Sequence, residues 1–348
     1  MRLTLASYSP QAKRIALAPK RIEGYRNFCN KIWNATRFAL PYLEKHAPVL
    51  TGEPPRPSIR VNRWILARLA NAIDSTERSL AEFRLDDASG ALYRFFWNEL
   101  CDWYLEIVKP IFQDETSAAS AETALTLAHV LETALRALHP FAPFLSEELW
   151  QRIARPKSRP LSLALAPFPA SSEGRADADA DREMAVVMAA ITAARTIRSE
   201  HEVHPAALVA VRLRSENAET RALLASELVA IRTLAKTAGN PAIEAGGQRP
   251  PGTVMSVAGD VQVLVELAGV VDGSKEEARV EREIAKTQKD VAALEKKLGS
   301  PAFAERAPAE VVAEAKAQLE ALGRRRGQLA EALSLARELA GLGKKTQQ

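Results

Sequence analysis

The chain has 348 residues, 47% of them hydrophobic and 26% charged, with a formal net charge of +4, a balance typical of a globular protein with room for two or three domains. No apolar run approaches the length of a membrane span and the N-terminus has no long apolar segment, so we expect neither a membrane protein nor a secretory signal, and we expect a cytoplasmic location. Two cysteines, Cys29 and Cys101, allow one disulfide at most; we favour reduced core residues, and they are too few for a Cys-rich zinc site.

The positive charge is concentrated near the N-terminus. Residues 1–60 contain 11 Lys and Arg against 3 Asp and Glu, whereas the other 288 residues contain 36 basic and 40 acidic residues. A basic face on a near-neutral body favours a polyanionic partner. The alternative is a basic surface that is only solvated, and charge alone leaves both open.

The first predicted element is a helix over residues 23–38, EGYRNFCNKIWNATRF. With Tyr25 at 0° and about 100° per residue, apolar side chains such as Phe28 and Ile32 share one face. The opposite face, between about 100° and 240°, carries the strongly polar residues and one aromatic residue. We call these seven residues the polar stripe: Arg26, Asn27, Asn30, Lys31, Asn34, Arg37 and Phe38.

The composition of the polar stripe suits nucleic acid. Lys and Arg neutralise phosphates, Asn both donates and accepts at a base edge, and an exposed aromatic ring stacks on an unpaired base. Asn is a poor helix former, so recognition would explain why one helix carries three of them. The alternative is a solvent-facing stripe with Phe38 buried under a neighbouring helix.

Further helices are predicted in the first 150 residues, which also contain all five Trp and all five Tyr. Apolar spacing predicts helices over 63–83 and 88–112. Residues 120–153 are expected to form two more helices, broken at Pro140 and Pro143. Together with the opening helix these elements predict a bundle of roughly five helices.

The chain changes character twice after the bundle. Residues 155–181 contain four prolines and many small residues, which predicts a connector. Residues 182–271 combine two helical stretches with an alternating strand over 206–214. A hairpin with Gly259 and Asp260 at its turn completes a small α/β domain.

Two heptad segments end the sequence, over 275–298 and 312–336. Gly299, Pro301 and Pro308 break the helix between them, which predicts an antiparallel helical hairpin. Dimerisation through the seam is the alternative, but a tethered partner helix is favoured by its effective concentration. The predicted seam positions are 280, 284, 287, 291, 294 and 298 in the first segment, and 312, 315, 319, 322, 326, 329, 333 and 336 in the second.

Several segments resemble the valyl-tRNA synthetase family. They are KRIEGYRNFCNKIWNATRF, VNRWILARL, RFFWNELCDWYLEIVKP, LHPFAPFLSEELW and ITAARTIRSEHEVHP, followed by the heptads. The resemblance runs in order through essentially the whole chain. Isoleucyl and leucyl enzymes share the helical domain, but the terminal hairpin favours the valyl family, and isoleucyl enzymes often end in a Cys-rich zinc module that this chain lacks.

The resemblance implies a mainly α protein with a class I helical-bundle anticodon-binding domain, a small α/β domain and a C-terminal antiparallel coiled-coil hairpin. The expected boundaries are 1–20 for a lead-in from a missing catalytic domain, 21–154 for the anticodon-binding domain, 155–181 for the linker, 182–272 for the α/β domain and 273–342 for a tRNA-binding arm.

The family also implies a role for each surface. The polar stripe would contact the anticodon stem and loop, and Lys13, Arg14, Lys20 and Arg21 would hold the tRNA backbone. The arm would lean on the tRNA elbow, where the D and T loops meet. Candidate elbow residues are Lys286, Lys289, Lys296, Lys297, Arg324, Arg325 and Arg326. The alternative is that these charges only solvate the helix, since 275–298 holds seven basic and six acidic residues.

Catalytic signatures of the family are not found in this sequence. It has neither the HIGH nor the KMSKS motif, no Gly-rich phosphate loop and no nucleophile triad. The pair His201 and His204 is one residue short of HExxH spacing, so we expect structural or exposed histidines, no metal site and no catalytic residue. ATP and Mg would belong to a catalytic domain outside this chain, and MRLTLAS begins where the family's chain has left the KMSKS loop. Whether the chain counts as an enzyme stays open, but alone we expect it to be inactive.

Three functions remain open. The first is the tRNA-recognition portion of a valine–tRNA ligase, binding tRNA-Val as a fragment or beside a separate catalytic chain. The second is a free-standing tRNA-binding protein without ligase activity. The third is a structural protein that assembles through the hairpin. None of the three involves DNA or a membrane.

Overall fold

The computed structural model describes residues 1–8, 18–153, 155–300 and 309–346 and divides into two compact units, Met1–Val187 (unit 1) and Met188–Gln348 (unit 2). Among the described residues, no helix combines the length and apolar character needed to cross a bilayer.

Unit 1 is a bundle of helices. Its helices are α1 (Arg2–Ala6), α2 (Pro19–His46), α3 (Arg60–Ala81), α4 (Leu85–Arg94), α5 (Leu105–Gln113), α6 (Ala118–Leu138) and α7 (Pro143–Trp150), followed by the first half of α8 (Ala178–Glu200). A π-helical segment, Phe95–Tyr104, joins α4 to α5 without a break, so 85–113 forms one rod. The helical bundle predicted from apolar spacing is confirmed.

The central helix of the bundle is α6. From Thr126 to Leu138 every residue is buried, and α2, α3, α5 and α7 all pack against it. A helix that is buried on all sides must be enclosed by other helices, so α6 sets the positions of its neighbours. The apolar face of α2 contributes Phe28 and Ile32, each 1% exposed, to this bundle core.

A polar network ties the start of α3 to α6. Glu122 on α6 accepts hydrogen bonds from the backbone nitrogens of Ser58 and Ile59 at 3.0 and 2.9 Å, just before α3 begins. Asn62, fully buried, donates to Glu122 at 3.1 Å and accepts from the Tyr104 hydroxyl at 2.8 Å. Burial acts to raise the pKa of Glu122, but these hydrogen bonds to its carboxylate outweigh it and lower that pKa.

A buried ion cluster joins α6 to residues 155–177. Arg136, with a side chain only 1% exposed, donates to Glu132 at 3.0 and 3.1 Å and also binds Glu173. Arg159 donates to Glu132 at 3.1 Å and to Glu173 at 2.9 Å. The Trp150 indole adds a 3.2 Å bond to Glu132. We call Glu132, Arg136, Arg159 and Glu173 the ion cluster. Its two positive and two negative charges balance, as burial requires.

Residues 155–177 contain two short 3-10 turns, Leu163–Leu165 and Ser171–Glu173. Gly174 lies so close to α3 that a Cβ atom there would be 2.4 Å from the backbone nitrogen of Ala70. Only glycine fits this approach. The neighbouring Arg175 donates its backbone N–H to the Leu66 carbonyl at 3.1 Å.

Unit 2 begins with the second half of α8 and continues with a small α/β domain. It contains β1 (Val211–Arg214), α9 (Ala218–Ser226), α10 (Leu228–Ala235), β2 (Ala242–Glu244), β3 (Thr253–Ala258) and β4 (Val261–Glu266). The sheet order is β2-β1-β4-β3, with β1 parallel to β2 and the other pairs antiparallel. The predicted hairpin is confirmed, and Gly259 at its turn has φ of 63°.

Three details of this domain differ from the sequence prediction. The strand predicted over 206–214 is limited to β1, Val211–Arg214. The helical stretch after β1 is divided into α9 and α10 at Glu227, whose φ of −109° and ψ of 18° interrupt the helix. The strand β2 has only three residues, and its sequence carries too short a pattern to be recognised.

The end of unit 2 is a helical hairpin of α11 (Gly273–Leu298) and α12 (Ala309–Thr346). Arg325 binds Glu283 at 2.9 Å and Arg337 binds Glu277 at 2.9 Å, so later residues of α12 meet earlier ones of α11. The helices are therefore antiparallel, as predicted. Every predicted seam position is buried or half-buried except Arg326, which is exposed.

Candidate nucleic-acid interface

Five residues of the polar stripe project freely from α2. Their side chains are exposed, and within the described residues none of them makes a hydrogen bond or ion pair. The five are Arg26, Asn27, Asn30, Asn34 and Arg37. At 1.5 Å per residue the stripe extends about 16 Å from Arg26 to Arg37. These polar groups form no hydrogen bond or ion pair within the described residues, so they remain available to a ligand.

An aromatic stack behind α2 fixes its rotation. Phe28 lies 4.6 Å from the Tyr93 ring and stacks on it, and Tyr93 stacks on Trp97 with ring centroids 5.6 Å apart. Tyr93 and Trp97 both belong to the rod formed by residues 85–113. Because the inner face is held by stacked rings, the polar stripe cannot turn inward.

Lys31 differs from the five free residues because the protein already engages it. Its ammonium lies 3.8 Å from the Trp97 ring centroid and 2.5 Å from the Asp102 carboxylate. The side chain is three-quarters buried, with 25% exposure. A phosphate would therefore have to compete with Asp102 for the Lys31 ammonium.

Phe38 is half-buried, which is intermediate between the exposed stacking ring and the ring buried under a neighbouring helix that its sequence left open. It lies 5.4 Å from Tyr42, whose ring stacks on Phe112 at 4.1 Å. The ammonium of Lys109 lies 5.8 Å from the Phe38 ring and is bonded to Glu106 at 2.6 Å. One part of the ring is thus supported from behind and another remains accessible.

The candidate backbone contacts before α2 are less uniform. Lys20 is exposed and has no partner in the described part of the chain. Arg21 donates to the Ser7 carbonyl at 2.7 Å and lies 4.2 Å from the Tyr8 ring centroid, so it holds α1 and α2 together. Lys13 and Arg14 lie outside the described residues.

The sequence does not predict a cation–π contact between Arg152 and Trp33 at this surface. The Arg152 guanidinium lies 5.5 Å from the centroid of Trp33, and Arg152 also binds Glu148. On the helical wheel Trp33 falls at about 80°, next to the arginine edge of the polar stripe. Arg152 lies two residues after the end of α7, and only the folded bundle brings it to α2.

The charges of α11 are sorted by face. With Val280 at 0°, all basic residues of 275–298 fall between about 160° and 260°, opposite the seam, and all acidic residues fall outside this arc. We call the seven the basic face of α11: Lys275, Arg279, Arg282, Lys286, Lys289, Lys296 and Lys297. All except Arg279 are exposed. A purely solvating mixture of charges gives no reason for this separation.

The three candidate elbow arginines of α12, Arg324, Arg325 and Arg326, are all exposed. Arg325 is paired with Glu283, whereas Arg324 and Arg326 have no partner among the residues that the structure describes. Arg326 occupies a seam position yet remains exposed.

The two histidines of the HEVH stretch take different environments. His201 is largely buried with its Nδ1 atom 3.8 Å from Glu276, and burial lowers the pKa of its imidazole. His204 is exposed, and its ring nitrogen accepts the backbone N–H of Ala206 at 3.2 Å. Over the described ranges, no three His, Cys, Asp or Glu side chains gather in a way that could hold a metal ion.

Two parts of the chain match models of known families. Residues 62–213 match the model of the anticodon-binding domain of tRNA ligases, and residues 272–336 match that of the valyl-tRNA synthetase tRNA-binding arm. The polar stripe precedes the first of these ranges, while the basic face of α11 lies within the second.

Similar whole proteins extend over nearly the entire chain. The valine–tRNA ligase of Geobacter sulfurreducens is 40% identical over 340 residues, which is 97% of this chain and 38% of the relative. The valine–tRNA ligase of Agrobacterium fabrum is 38% identical over 92% of this chain and 34% of the relative. That of Xanthomonas euvesicatoria is 36% identical over 92% of this chain and 32% of the relative. The chain thus spans about a third of the length of these relatives.

Proposed function

Because this chain corresponds to the C-terminal part of valine–tRNA ligases, with their anticodon-binding domain and tRNA-binding arm, we propose that it is the tRNA-recognition portion of such a ligase. In this role the polar stripe binds the anticodon stem and loop of tRNA-Val, and the basic face of α11 binds the elbow. The bound tRNA would present its acceptor end to a catalytic site outside this chain. A tRNA partner makes the cytoplasm the expected location.

The observation that carries this proposal is the free, one-sided polar stripe. Two guanidiniums and three amides stand exposed on one helix and take no partner among the described residues. Solubility alone does not select Asn for a helix surface, because Asn lowers helix propensity. Recognition of an RNA loop uses phosphate neutralisation, base-edge hydrogen bonds and stacking together, and the stripe offers all three.

A binding experiment tests the proposal. Transcripts of tRNA-Val with the natural and an altered anticodon are titrated against the protein between about 50 and 200 mM salt, the range over which phosphate contacts lose most of their strength. We expect tight binding that weakens steeply with salt and falls when the anticodon is changed. Weak binding that ignores the anticodon would contradict the proposed role.

A second prediction concerns the arm. Replacing Lys286 and Lys289 with Glu should weaken binding of tRNA-Val about tenfold or more, because two charge-assisted contacts become repulsive. The ratio of affinities for natural and altered anticodons should stay unchanged, because the arm does not contact the anticodon. Both affinities are measured by fluorescence titration at one salt concentration.

The matched control for the arm is the double variant Lys157→Glu, Lys316→Glu. Both lysines are exposed, lie outside α11 and have no partner within the described segments, so the change of net charge is the same. Equal losses in the two double variants would show that total charge, and not the basic face of α11, determines the affinity.

A further inference from the structure

The two edges of the polar stripe differ in their electrostatics. Arg26 and Arg37 form one edge and are exposed without partners in the described chain. The other edge carries Lys31, which is held by Asp102 at 2.5 Å. A cation on one edge is therefore free, whereas the cation on the other is already neutralised.

The neutralised edge continues along the neighbouring rod. Lys109 on α5 lies over the Phe38 ring and is bound by Glu106 at 2.6 Å. Asp102 and Glu106 are four residues apart, one helical turn, and each is exposed to solvent by more than a third. Two carboxylates thus border the stripe on the side of Lys31 and Phe38.

Aromatic rings also gather on this neutralised edge. Trp97 lies beneath the Lys31 ammonium at 3.8 Å, and Phe38 is supported by Tyr42 at 5.4 Å. An edge with balanced charge and one accessible ring, that of Phe38, favours bases and repels phosphates more than the arginine edge does. The two edges therefore suit the two chemically different sides of a single RNA strand.

We propose that Asp102 determines specificity by orienting an RNA strand across α2, with phosphates at the Arg26–Arg37 edge and bases toward Phe38. Asp102 has this effect because it pairs with Lys31. Without Asp102, Lys31 would bind RNA phosphates regardless of sequence, at the edge where bases are selected. This inference rests on the proposed binding of RNA by the polar stripe, and it assigns that surface a direction.

The variant Asp102→Asn tests the inference, because it keeps the size of the side chain and releases Lys31. We expect one additional phosphate contact, so the ratio of Kd values at about 200 and 50 mM salt should grow about threefold over that of the unchanged protein. Binding of tRNA-Val with an altered anticodon should strengthen more than binding of the natural transcript. Discrimination between the two transcripts should therefore decrease.

Asp74→Asn is the matched control. Asp74 lies on α3, is half exposed and pairs with Arg78 at 2.6 Å, so it resembles Asp102 in exposure and in the charge removed. An identical salt dependence and discrimination in Asp102→Asn and Asp74→Asn would overturn the inference. In the double variant Lys31→Met, Asp102→Asn the additional salt dependence of binding should disappear. Additional salt dependence that persists in the double variant would show that Asp102 does not act through Lys31.

A uridine homopolymer separates this inference from the proposed function. If the unchanged protein does not distinguish anticodons, the tRNA-recognition role fails by itself. The salt dependence of homopolymer binding still reveals whether Asp102→Asn creates a phosphate contact. A steeper dependence of the homopolymer Kd on salt in Asp102→Asn supports the neutralisation of Lys31 by Asp102. An unchanged dependence contradicts it.

Discussion

Replacing Arg26 and Arg37 together with Glu is expected to weaken binding of tRNA-Val by about a hundredfold or more. Each arginine supplies a charge-assisted contact of about 1.5–3 kcal/mol, and about 1.4 kcal/mol corresponds to a factor of ten. Two lost contacts therefore give at least two factors of ten, before repulsion is added. Titration with a fluorescent tRNA-Val transcript at low salt measures the loss.

This variant should leave the fold intact. Both arginines are exposed, and their side chains have no partner in the described ranges of the chain, so no native interaction is removed. Surface changes of this kind alter stability by about 0.5 kcal/mol or less. Helix content by circular dichroism should equal that of the unchanged protein.

Arg56 and Arg232 provide a control with the same change of charge. Both are exposed, are not part of α2 and lack a side-chain partner among the described residues. Arg56→Glu, Arg232→Glu should weaken binding much less. If the two double variants lose affinity equally, the polar stripe is not the RNA surface and its asparagines need another explanation.

The exposed and buried faces of α2 could be predicted from the sequence, because helical periodicity is a local property. Phe28 and Ile32 are buried and the five free residues of the stripe are exposed, as the wheel predicts. The heptads likewise predicted both arms of the hairpin. Arg326 is the one predicted seam residue that is exposed, and as a charged side chain it is also the one least suited to burial.

Features that depend on distant residues could not be predicted. Lys31 was grouped with the free cations because its partners Asp102 and Trp97 come from another helix. The π-helical segment within the rod has no simple apolar period that distinguishes it from an α-helix. The contacts that each stripe residue makes with RNA also remain predictions, since local spacing identifies a surface and not its partner atoms.

The ion cluster shows the same limit in the core. Nothing in the proline-rich composition of 155–181 indicates that Glu173 and Arg159 pair with α6. Arginine thus has two different roles in unit 1. On the polar stripe arginine is exposed and has no partner among the described residues. In the ion cluster Arg136 is buried and hydrogen-bonded to two carboxylates, so the two roles predict opposite effects of substitution.

Replacing Arg136 with Ala should lower the free energy of unfolding of unit 1 by about 3–5 kcal/mol. Among the described residues, the substitution leaves the Glu132 and Glu173 carboxylates with only Arg159 as a cationic partner. Removing one member of a buried ion pair typically has this cost. All five tryptophans lie in unit 1, at positions 33, 64, 97, 103 and 150, so their fluorescence reports the unfolding of this unit during a urea titration.

Arg78→Ala is a close control, because Arg78 and Asp74 are also an arginine and a carboxylate four residues apart on a helix of unit 1. Their side chains are 69% and 50% exposed, compared with 1% and 2% for Arg136 and Glu132. An exposed pair of this spacing contributes only about 0.3–0.5 kcal/mol. The two pairs have the same sequence spacing and differ in burial. We therefore expect very different losses of unfolding free energy from the two substitutions. Losses that agree within about 1 kcal/mol, the scatter expected between single substitutions, would mean that water reaches the ion cluster and that residues 155–177 are not held to α6 by charge.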